Sequence, residues 1–269
     1  SDNDYKFGTD MIFQPILPFK LTQDWKLLTR PVVPISFSTP VPTALKADGK
    51  TALSCPSASL VDLGDGVFCC EFHTKMNAIG EDIIGMTNKA ADIVSKDFDG
   101  LVIANHADNF SVGANLMLVL FTAQEEEWDE LEFMIRKLQE ATMAIKYLPK
   151  PVVVAPHQMA LGGGCEMTLC ADRVVATAES YVGLVEVGVG VLPAGGGCKE
   201  LLLRNTQERV FTVPRGGIYP KQINLLPFVA RAFETIAMAK VATSAKEAIK
   251  LGIWRESDRV SMNGDHRIK

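Results

Sequence analysis

The sequence predicts an α/β fold for most of this chain. From Ala58 onwards, short apolar runs of strand length alternate with longer stretches of helical periodicity. Hydrophobic residues make up 47% of the 269 residues and charged residues 22%, which is typical of a folded globular protein. Because strands alternate with helices over this whole stretch, we expect right-handed βαβ units.

The first 57 residues have a different character. They contain seven prolines, and their apolar residues come in short bursts with no sustained period. We therefore predict an irregular arm, or the remnant of a preceding domain, over residues 1–57. The folded domain is predicted over residues 58–269.

The folded region opens with a predicted β-hairpin. Residues 59–63 and 67–72 have the character of strands, and the Gly-Asp-Gly sequence at 64–66 is typical of a tight turn. Residues 81–95 carry apolar side chains at helical spacing. Residues 100–104 form a short continuous apolar run, as a buried strand does.

The second half continues the alternation. A long helix is predicted over about residues 126–147, with Thr142 in its apolar stripe and a polar face rich in Glu and Lys. Two prolines just beyond the helix end it. A strand over residues 152–155 leads into a glycine-rich loop, and another strand covers residues 173–177. Residues 244–247 (Ser-Ala-Lys-Glu) match a capping box, which begins a short helix that Gly252 can close.

The glycine-rich loop Gly162-Gly163-Gly164 is the strongest candidate site. It precedes an apolar helical segment, so its bare N–H groups and the helix N-terminus together suit an anion that forms during a reaction. Glu166, in the first turn, would place a carboxylate beside that anion. The alternative is a phosphate-binding or purely structural turn with a solvated Glu166.

Two further segments are candidates. Residues 110–116 also pass from a buried strand to an apolar helix, so the N–H of Ala114 is a candidate second donor. Glu186 lies in an otherwise apolar run, where burial would raise its pKa and suit it to general acid catalysis. Alternatively, backbone N–H groups satisfy its carboxylate. The glycines at 188 and 190 do not complete a dinucleotide fingerprint, because Pro193 occupies the place of the third glycine.

These segments, in this order, resemble the crotonase family, the enoyl-CoA hydratase/isomerase superfamily, over about residues 59–263. Residues 73–79 (HTKMNAI) look like the family's early CoA-contacting segment. Residues 111–115 (SVGAN) look like its first oxyanion loop and residues 160–166 (ALGGGCE) like its second. The resemblance implies a crotonase-like spiral core of repeated ββα units.

The resemblance also implies roles for individual residues. The N–H groups of Ala114 and Gly163 would hold the thioester oxygen of an acyl-CoA. Glu166 and Glu186 match the glutamate pair of members that add water reversibly, with syn geometry, to a trans-2-enoyl-CoA in fatty-acid β-oxidation. Glu166 would activate the water and Glu186 would manage the proton at the α-carbon. The residues expected to contact CoA or substrate are His73, Lys75, Asn77, Ala78, Ile79, Asn115 and Gly162.

Two other functions stay open at this point. Many relatives with a single glutamate are isomerases, so a 3,2-enoyl-CoA isomerase is one alternative, although the presence of both glutamates favours a hydratase. The other is a non-catalytic acyl-CoA-binding or oligomerisation module. The latter would follow if the region after Asp265, where family members continue into helices, left the pocket open.

The chain departs from the family pattern in four places. Asn115 stands where the family commonly has Asp, and Leu184-Val185 stand where Gln-Pro often precedes the second glutamate. The connection over about residues 204–228 looks longer than usual, and the C-terminal helical region looks truncated. With the irregular arm, these ends resemble the hydratase portion of a bacterial 3-hydroxyacyl-CoA dehydrogenase/enoyl-CoA hydratase fusion.

Composition excludes several other classes of function. The net charge of −5 and the lack of a basic, aromatic-rich cluster argue against nucleic acid as a partner. No apolar run approaches membrane-spanning length and no leader opens the chain, so we expect a cytoplasmic protein without membrane insertion. The six cysteines are too sparse for the disulfide scaffold of a short secreted chain, so we expect reduced thiols, and the cysteines and histidines show no metal-ligand spacing, so we expect no metal. The resemblance implies that no cofactor is needed besides the coenzyme A of the substrate. By resemblance, we expect a homo-oligomer, either a trimer or a hexamer.

Overall fold

A computed structural model describes residues 49–210 and 224–262, with side chains omitted at 207–210. Most of the predicted arm, most of the long connection and the end of the chain lie outside these described residues. The described strands are β1 Thr51–Ser54, β2 Ala58–Gly64, β3 Val67–Phe72, β4 Gly100–Ala104, β5 Val152–Val154, β6 Gln158–Leu161, β7 Arg173–Thr177, β8 Ser180–Gly183, β9 Val241–Ala242 and β10 Arg259–Ser261. The helices are α1 Glu81–Asp97, α2 Leu116–Gln124, α3 Trp128–Lys146, α4 Gly163–Cys170, α5 Gly197–Val210, α6 Leu226–Ala237 and α7 Ala245–Lys250.

The strands form two sheets. The larger has the order β1-β2-β3-β4-β5-β7-β10, with antiparallel pairing from β1 to β3 and parallel pairing from β3 to β10. The smaller has the order β6-β8-β9. This mixed architecture with a central sheet confirms the predicted α/β class. Because β6 and β8 pair in parallel, their carboxyl ends meet at one edge of the small sheet.

Most predicted elements have their expected positions. The hairpin pairs Leu60 with Cys70 across the turn, and α1 buries the apolar face that its sequence predicts. The Ser244 side chain accepts from the Glu247 N–H at 3.2 Å, as a cap should. The Glu247 carboxylate, however, accepts from Thr243 N–H at 2.8 Å rather than from the capping residue, so the capping box is only half formed.

Two expectations about strands were wrong. Strand β1 lies inside the range predicted to be irregular and extends the sheet beyond β2, so the boundary at Ala58 falls one strand too late. The strand that enters the glycine loop is β6, not the predicted run at 152–155, which forms β5 in the other sheet. The glycine loop therefore follows a strand of the smaller sheet, whereas the segments at 73–79 and 105–115 follow β3 and β4 of the larger sheet.

The core lies between the large sheet and the helices that cover it. Its largest fully buried side chains are Phe68, Phe72, Phe110, Leu60, Ile83, Leu101, Ile103, Ile145, Met167, Leu169, Leu184 and Leu201. Helix α2 differs, because its apolar side chains Met117 and Phe121 are 56% and 55% exposed. Within the described ranges, no helix is long and apolar enough to cross a membrane.

Candidate active site

Three segments that are far apart in the sequence lie side by side at the glycine loop. Ser111 forms a parallel bridge with Ala160, through Ser111 N–H to Met159 O at 3.0 Å and Leu161 N–H to Ser111 O at 2.9 Å. A second bridge joins Ile79 to Ala114, in which the Ile79 N–H donates to Gly113 O at 2.8 Å. The early segment and both predicted oxyanion loops therefore form one hydrogen-bonded set.

The Ser111 side chain fastens this set together. Its hydroxyl donates to Asn77 O at 2.7 Å and accepts from Gly113 N–H at 3.1 Å, and the residue is fully buried. Sequence reasoning included Ser111 in the loop motif but gave it no role. A small hydroxyl residue at the first position of a turn is the signal that indicates such a contact.

Close backbone approach explains why glycines occupy this loop. A Cβ atom at Gly164 would lie 2.7 Å from Ser111 O, and one at Gly113 would lie 2.9 Å from Leu161 O. Gly113 and Gly162 also have φ angles of +91° and +53°, which side chains rarely adopt. The two loops can therefore approach this closely only because glycine has no Cβ atom at these positions.

The predicted oxyanion donors are neighbours in this arrangement. A Cβ atom at Gly163 would lie 3.8 Å from Ala114 N and 3.2 Å from the side chain of Ile79. Within the part of the chain that the structure describes, neither the Ala114 N–H nor the Gly163 N–H donates to another group. Gly163 is also the first residue of α4, where the helix dipole adds partial positive charge.

Glu166 is buried beside this loop and is only 2% exposed, so the solvated alternative was wrong. Gly197 N–H donates to its Oε1 at 2.8 Å. Burial and then the nearby charge of Glu186 raise the pKa of Glu166 to about 7, while hydrogen bonds from the Gly197 and Gly195 backbones oppose the rise. These two glycines were missed as site residues.

Glu186 lies on the other side of the glycine loop. It begins a short 3-10 turn, Glu186–Val189, and its Oε1 would lie 3.3 Å from a Cβ atom at Gly162. Neither of its carboxylate oxygens bonds to another described residue, and the backbone of Glu186 itself is the one group that favours its charged form. Burial raises the pKa of Glu186 above its ordinary range, as its apolar sequence context predicts.

The predicted CoA-contacting residues divide into two groups. His73 and Lys75 are exposed, and we call these two residues the rim of the site. His73 Nε2 lies 2.9 Å from Ser59 Oγ. Asn77 is fully buried, and its Nδ2 donates to Asn109 O at 3.0 Å. Its side-chain amide therefore supports the loop that carries Asn109. Ala78 is half-buried, so its exposure is intermediate between that of the two groups.

The remaining predicted contacts have structural duties of their own. Ile79 packs against Gly163, and Asn115 caps α2 by accepting from Leu118 N–H at 3.4 Å. Gly162 separates the Glu186 carboxyl from the loop carrying Gly113. The site as a whole brings two unused N–H donors next to two carboxyl groups of raised pKa, an arrangement that can stabilise an anion while protons move.

Comparison with known proteins assigns the family. A sequence model described as enoyl-CoA hydratase/isomerase matches residues 64–209, more than half of the chain. The α/β fold and this match identify the class, and the chain belongs to the enoyl-CoA hydratase/isomerase (crotonase) family.

Two curated relatives are larger proteins. A Bacillus subtilis protein named as a probable 3-hydroxyacyl-CoA dehydrogenase is 46% identical over 84% of this chain, which corresponds to 27% of that protein. A Rickettsia felis protein, whose name describes a fatty acid oxidation complex trifunctional enzyme, is 32% identical over 60% of this chain and 22% of its own length. The chain thus spans about a quarter of the relatives it matches.

The fold has solved counterparts as well. The crystal structure of an enoyl-CoA hydratase from Polaromonas sp. JS666 superposes with a TM-score of 0.60 at 21% identity, covering 77% of this chain and 71% of the other. At this level of identity the likeness concerns the fold alone. It matches the crotonase-like core that the sequence predicts.

Proposed function

We propose that this chain is an enoyl-CoA hydratase, which adds water reversibly and with syn geometry to a trans-2-enoyl-CoA in fatty-acid β-oxidation. One observation carries the proposal: the carboxyl groups of Glu166 and Glu186, both shielded from solvent, lie close to a glycine loop in which the unbonded N–H of Gly163 is next to that of Ala114. A hydratase needs these groups together, because the attack of water and the protonation of carbon occur while negative charge builds up on the thioester oxygen.

The oxyanion hole consists of the Ala114 and Gly163 N–H groups. The thioester carbonyl accepts from both, and the donors bind more strongly as the oxygen acquires enolate charge. Removing one such donor in other enzymes lowers kcat by about 10²–10³. The Gly163 N–H at the start of α4 is fixed before substrate arrives, so little reorganisation accompanies the reaction.

The two carboxyl groups share one proton at neutral pH in this mechanism. Glu166 accepts hydrogen bonds from backbone N–H groups, which favour its charged form, whereas the carboxylate oxygens of Glu186 bond to no other described residue. The reactive form in this proposal is the one in which Glu166 is ionised and the shared proton lies on Glu186. Glu166 is the base and Glu186 is the acid, and the pair titrates as a unit.

The step balances with this single proton. Glu166 takes a proton from water as the water oxygen bonds to the β-carbon, and the C=C electron pair moves toward the thioester. The α-carbon then takes the proton of Glu186. The cycle closes when the proton on Glu166 returns to Glu186, either directly or through water, and no metal or redox group takes part.

The rim supplies the contacts for coenzyme A. His73 and Lys75 are exposed next to the segment that bridges to Ala114, where a cationic or hydrogen-bonding side chain suits a phosphate. As the family resemblance implies, we expect a trimer or hexamer that uses no separate cofactor. Activities of the longer relatives, including dehydrogenation, belong to those proteins.

The decisive assay follows the loss of 2-enoyl-CoA absorbance with the wild type, Glu166→Gln and Glu186→Gln. Each substitution should lower kcat by about 10²–10⁴, the range for general acid–base groups. Glu179→Gln, at an exposed glutamate on the turn before β8, is the matched control and should behave as the wild type. Equal rates in the wild type and the Glu166→Gln/Glu186→Gln double variant would contradict the mechanism.

The same preparations separate the alternatives. Conversion of a 3-enoyl-CoA to the 2-enoyl isomer without net hydration would identify the protein as an isomerase. Calorimetric binding of an acyl-CoA with no turnover of either substrate would identify a binding module. Either result would replace the hydratase proposal.

A further inference from the structure

Helix α3 presents three polar side chains to the segment that holds Glu166. Gln139, Thr142 and Lys146 follow one another at intervals of three and four residues, so they lie on one face of the helix. We call them the polar stripe. The sequence predicts only an apolar stripe here and includes Thr142 in it.

Each member of the polar stripe holds a different point of the facing segment. Gln139 Nε2 donates to Ala194 O at 2.7 Å. Thr142 Oγ1 lies 2.7 Å from Gly195 O and is 1% exposed. Lys146 forms an ion pair with Glu200. The stripe thus fixes the backbone over 194–200 at three places along its length.

This segment carries the hydrogen-bond donors of Glu166. Gly197 N–H donates to Glu166 Oε1 at 2.8 Å, and the backbone of Gly195 is the second donor. The packing leaves no slack, because a Cβ atom at Gly195 would lie 2.4 Å from Glu166 Oε2. A shift of the segment by a fraction of an ångström therefore changes the hydrogen bonds on the carboxylate.

We propose that Thr142 is a positioning residue, which through its bond to Gly195 O keeps the Gly195 and Gly197 N–H groups aligned on the Glu166 carboxylate. This inference rests on the proposed function for its kinetic consequence only. Thr142 has no contact with Glu166 itself, and its effect passes through the glycine segment.

The titratable groups near Glu166 do not obscure the expected change in its pKa. The charge of Glu186, on the 3-10 turn, acts on Glu166, and the charge of Glu166 acts on the thiols of Cys165, Cys170 and Cys198 in α4 and α5. Burial raises the pKa of all three thiols, so they stay neutral at physiological pH. Loss of N–H donors then acts on a carboxyl whose pKa is about 7 and raises it further.

The test is a direct titration of Glu166 by carbon NMR of carboxyl-labelled glutamate, assigned with Glu166→Gln. Thr142→Val removes the hydroxyl at nearly constant volume and should raise the titration midpoint by about one pH unit. Thr142→Ser keeps the hydroxyl and should restore the wild-type midpoint. Thr235→Val is the matched control, because the hydroxyl of that buried threonine donates within α6, to Arg231 O at 2.9 Å, and makes no contact with the Glu166 segment among the described residues.

Kinetics supply the second readout. With a midpoint about one unit higher, Thr142→Val should show kcat about fivefold lower at pH 7 and close to wild type at pH 9, with KM nearly unchanged. A merely structural role would lower thermal stability in both valine variants and move neither the midpoint nor the pH profile. An unmoved midpoint in Thr142→Val would overturn the inference, as would an equal shift in the control.

The titration also keeps the two proposals apart. It requires no substrate, so a raised midpoint in a protein without hydratase activity would support the positioning role and refute only the proposed reaction. If Thr142→Val does not fold, Gln139→Leu carries the same test, since Gln139 is exposed and also holds the segment. A smaller rise of the midpoint supports the role of the stripe, and no rise overturns it.

Discussion

Replacing Glu166 by glutamine is expected to stabilise the folded protein above neutral pH while it removes the catalytic base. The carboxyl is 2% exposed, and its pKa lies at about 7 in the fold against an ordinary value of 4.5. Ionising it in the folded state is therefore less favourable than in the unfolded chain. A shift of this size corresponds to about 3 kcal/mol at 1.36 kcal/mol per unit.

The sign of the pH dependence follows from proton counts. Between pH 4.5 and about 7 the folded state holds the Glu166 proton and the unfolded state has lost it, so the free energy of unfolding falls as pH rises through this window. Above it the loss is complete. Because glutamine does not ionise, Glu166→Gln should show no such fall and should be about 1–3 kcal/mol more stable than the wild type at pH 8. The lower end of this range allows for an unfavourable contact between the glutamine NH₂ group and the Gly195 N–H, which are both donors.

Urea denaturation at pH 5, 6, 7 and 8 measures this difference. Wild type and Glu166→Gln should have similar free energies of unfolding at pH 5 and should diverge as pH rises. Glu179→Gln, at an exposed site, should follow the wild type throughout. Parallel curves for wild type and Glu166→Gln would show that Glu166 ionises in the fold as easily as in water, and would refute the burial argument.

Three further outcomes follow from the same structure. Gly164→Ala should lower the free energy of unfolding by about 2 kcal/mol or more, since its Cβ atom would lie 2.7 Å from Ser111 O. Gly85→Ala, in α1 where a Cβ atom meets nothing within 4 Å, should raise it by about 0.5–1 kcal/mol. Equal stabilities of the two variants in urea denaturation would contradict this account of the packing. Ser111→Ala should lower the free energy of unfolding by about 1–3 kcal/mol and should also lower kcat. A loss of stability with unchanged kcat would show that the hydroxyl does not help to position the Ala114 N–H. The kcat of the wild type should fall below pH 7 as Glu166 becomes protonated, and a flat pH profile from 5 to 8 would exclude it as the base.

Local patterns in the sequence predicted the elements whose periodicity is continuous. The helix over Trp128–Lys146 and the strand over Gly100–Ala104 lie within two residues of their predicted limits. Strand β6 was missed because Gln158 and Met159 are exposed and alternate weakly, so its apolar signal is small. Strand β1 was missed because three of its four residues are exposed at the edge of the sheet.

The residues predicted for the site were recognised from sequence motifs, whereas the residues that hold them in position were not. The glycine loop and both glutamates are visible locally, because glycine runs and a lone carboxylate are unusual in apolar surroundings. The donors at Gly195 and Gly197 lie about thirty positions after Glu166, and only the fold joins them. Thr142 was likewise read as part of an apolar stripe, since no local pattern reveals that its hydroxyl faces a carbonyl.

The loops that carry Ala114 and Gly163 should fluctuate as one body. Hydrogen bonds tie Ile79 to the first loop, and Ser111 ties that loop to β6 directly before the second. A thermal displacement of either loop therefore carries the other with it, and the spacing of the two donors changes less than their position. Amide hydrogen exchange in these loops should then report a single shared opening, so that an arriving thioester meets both donors in place or neither.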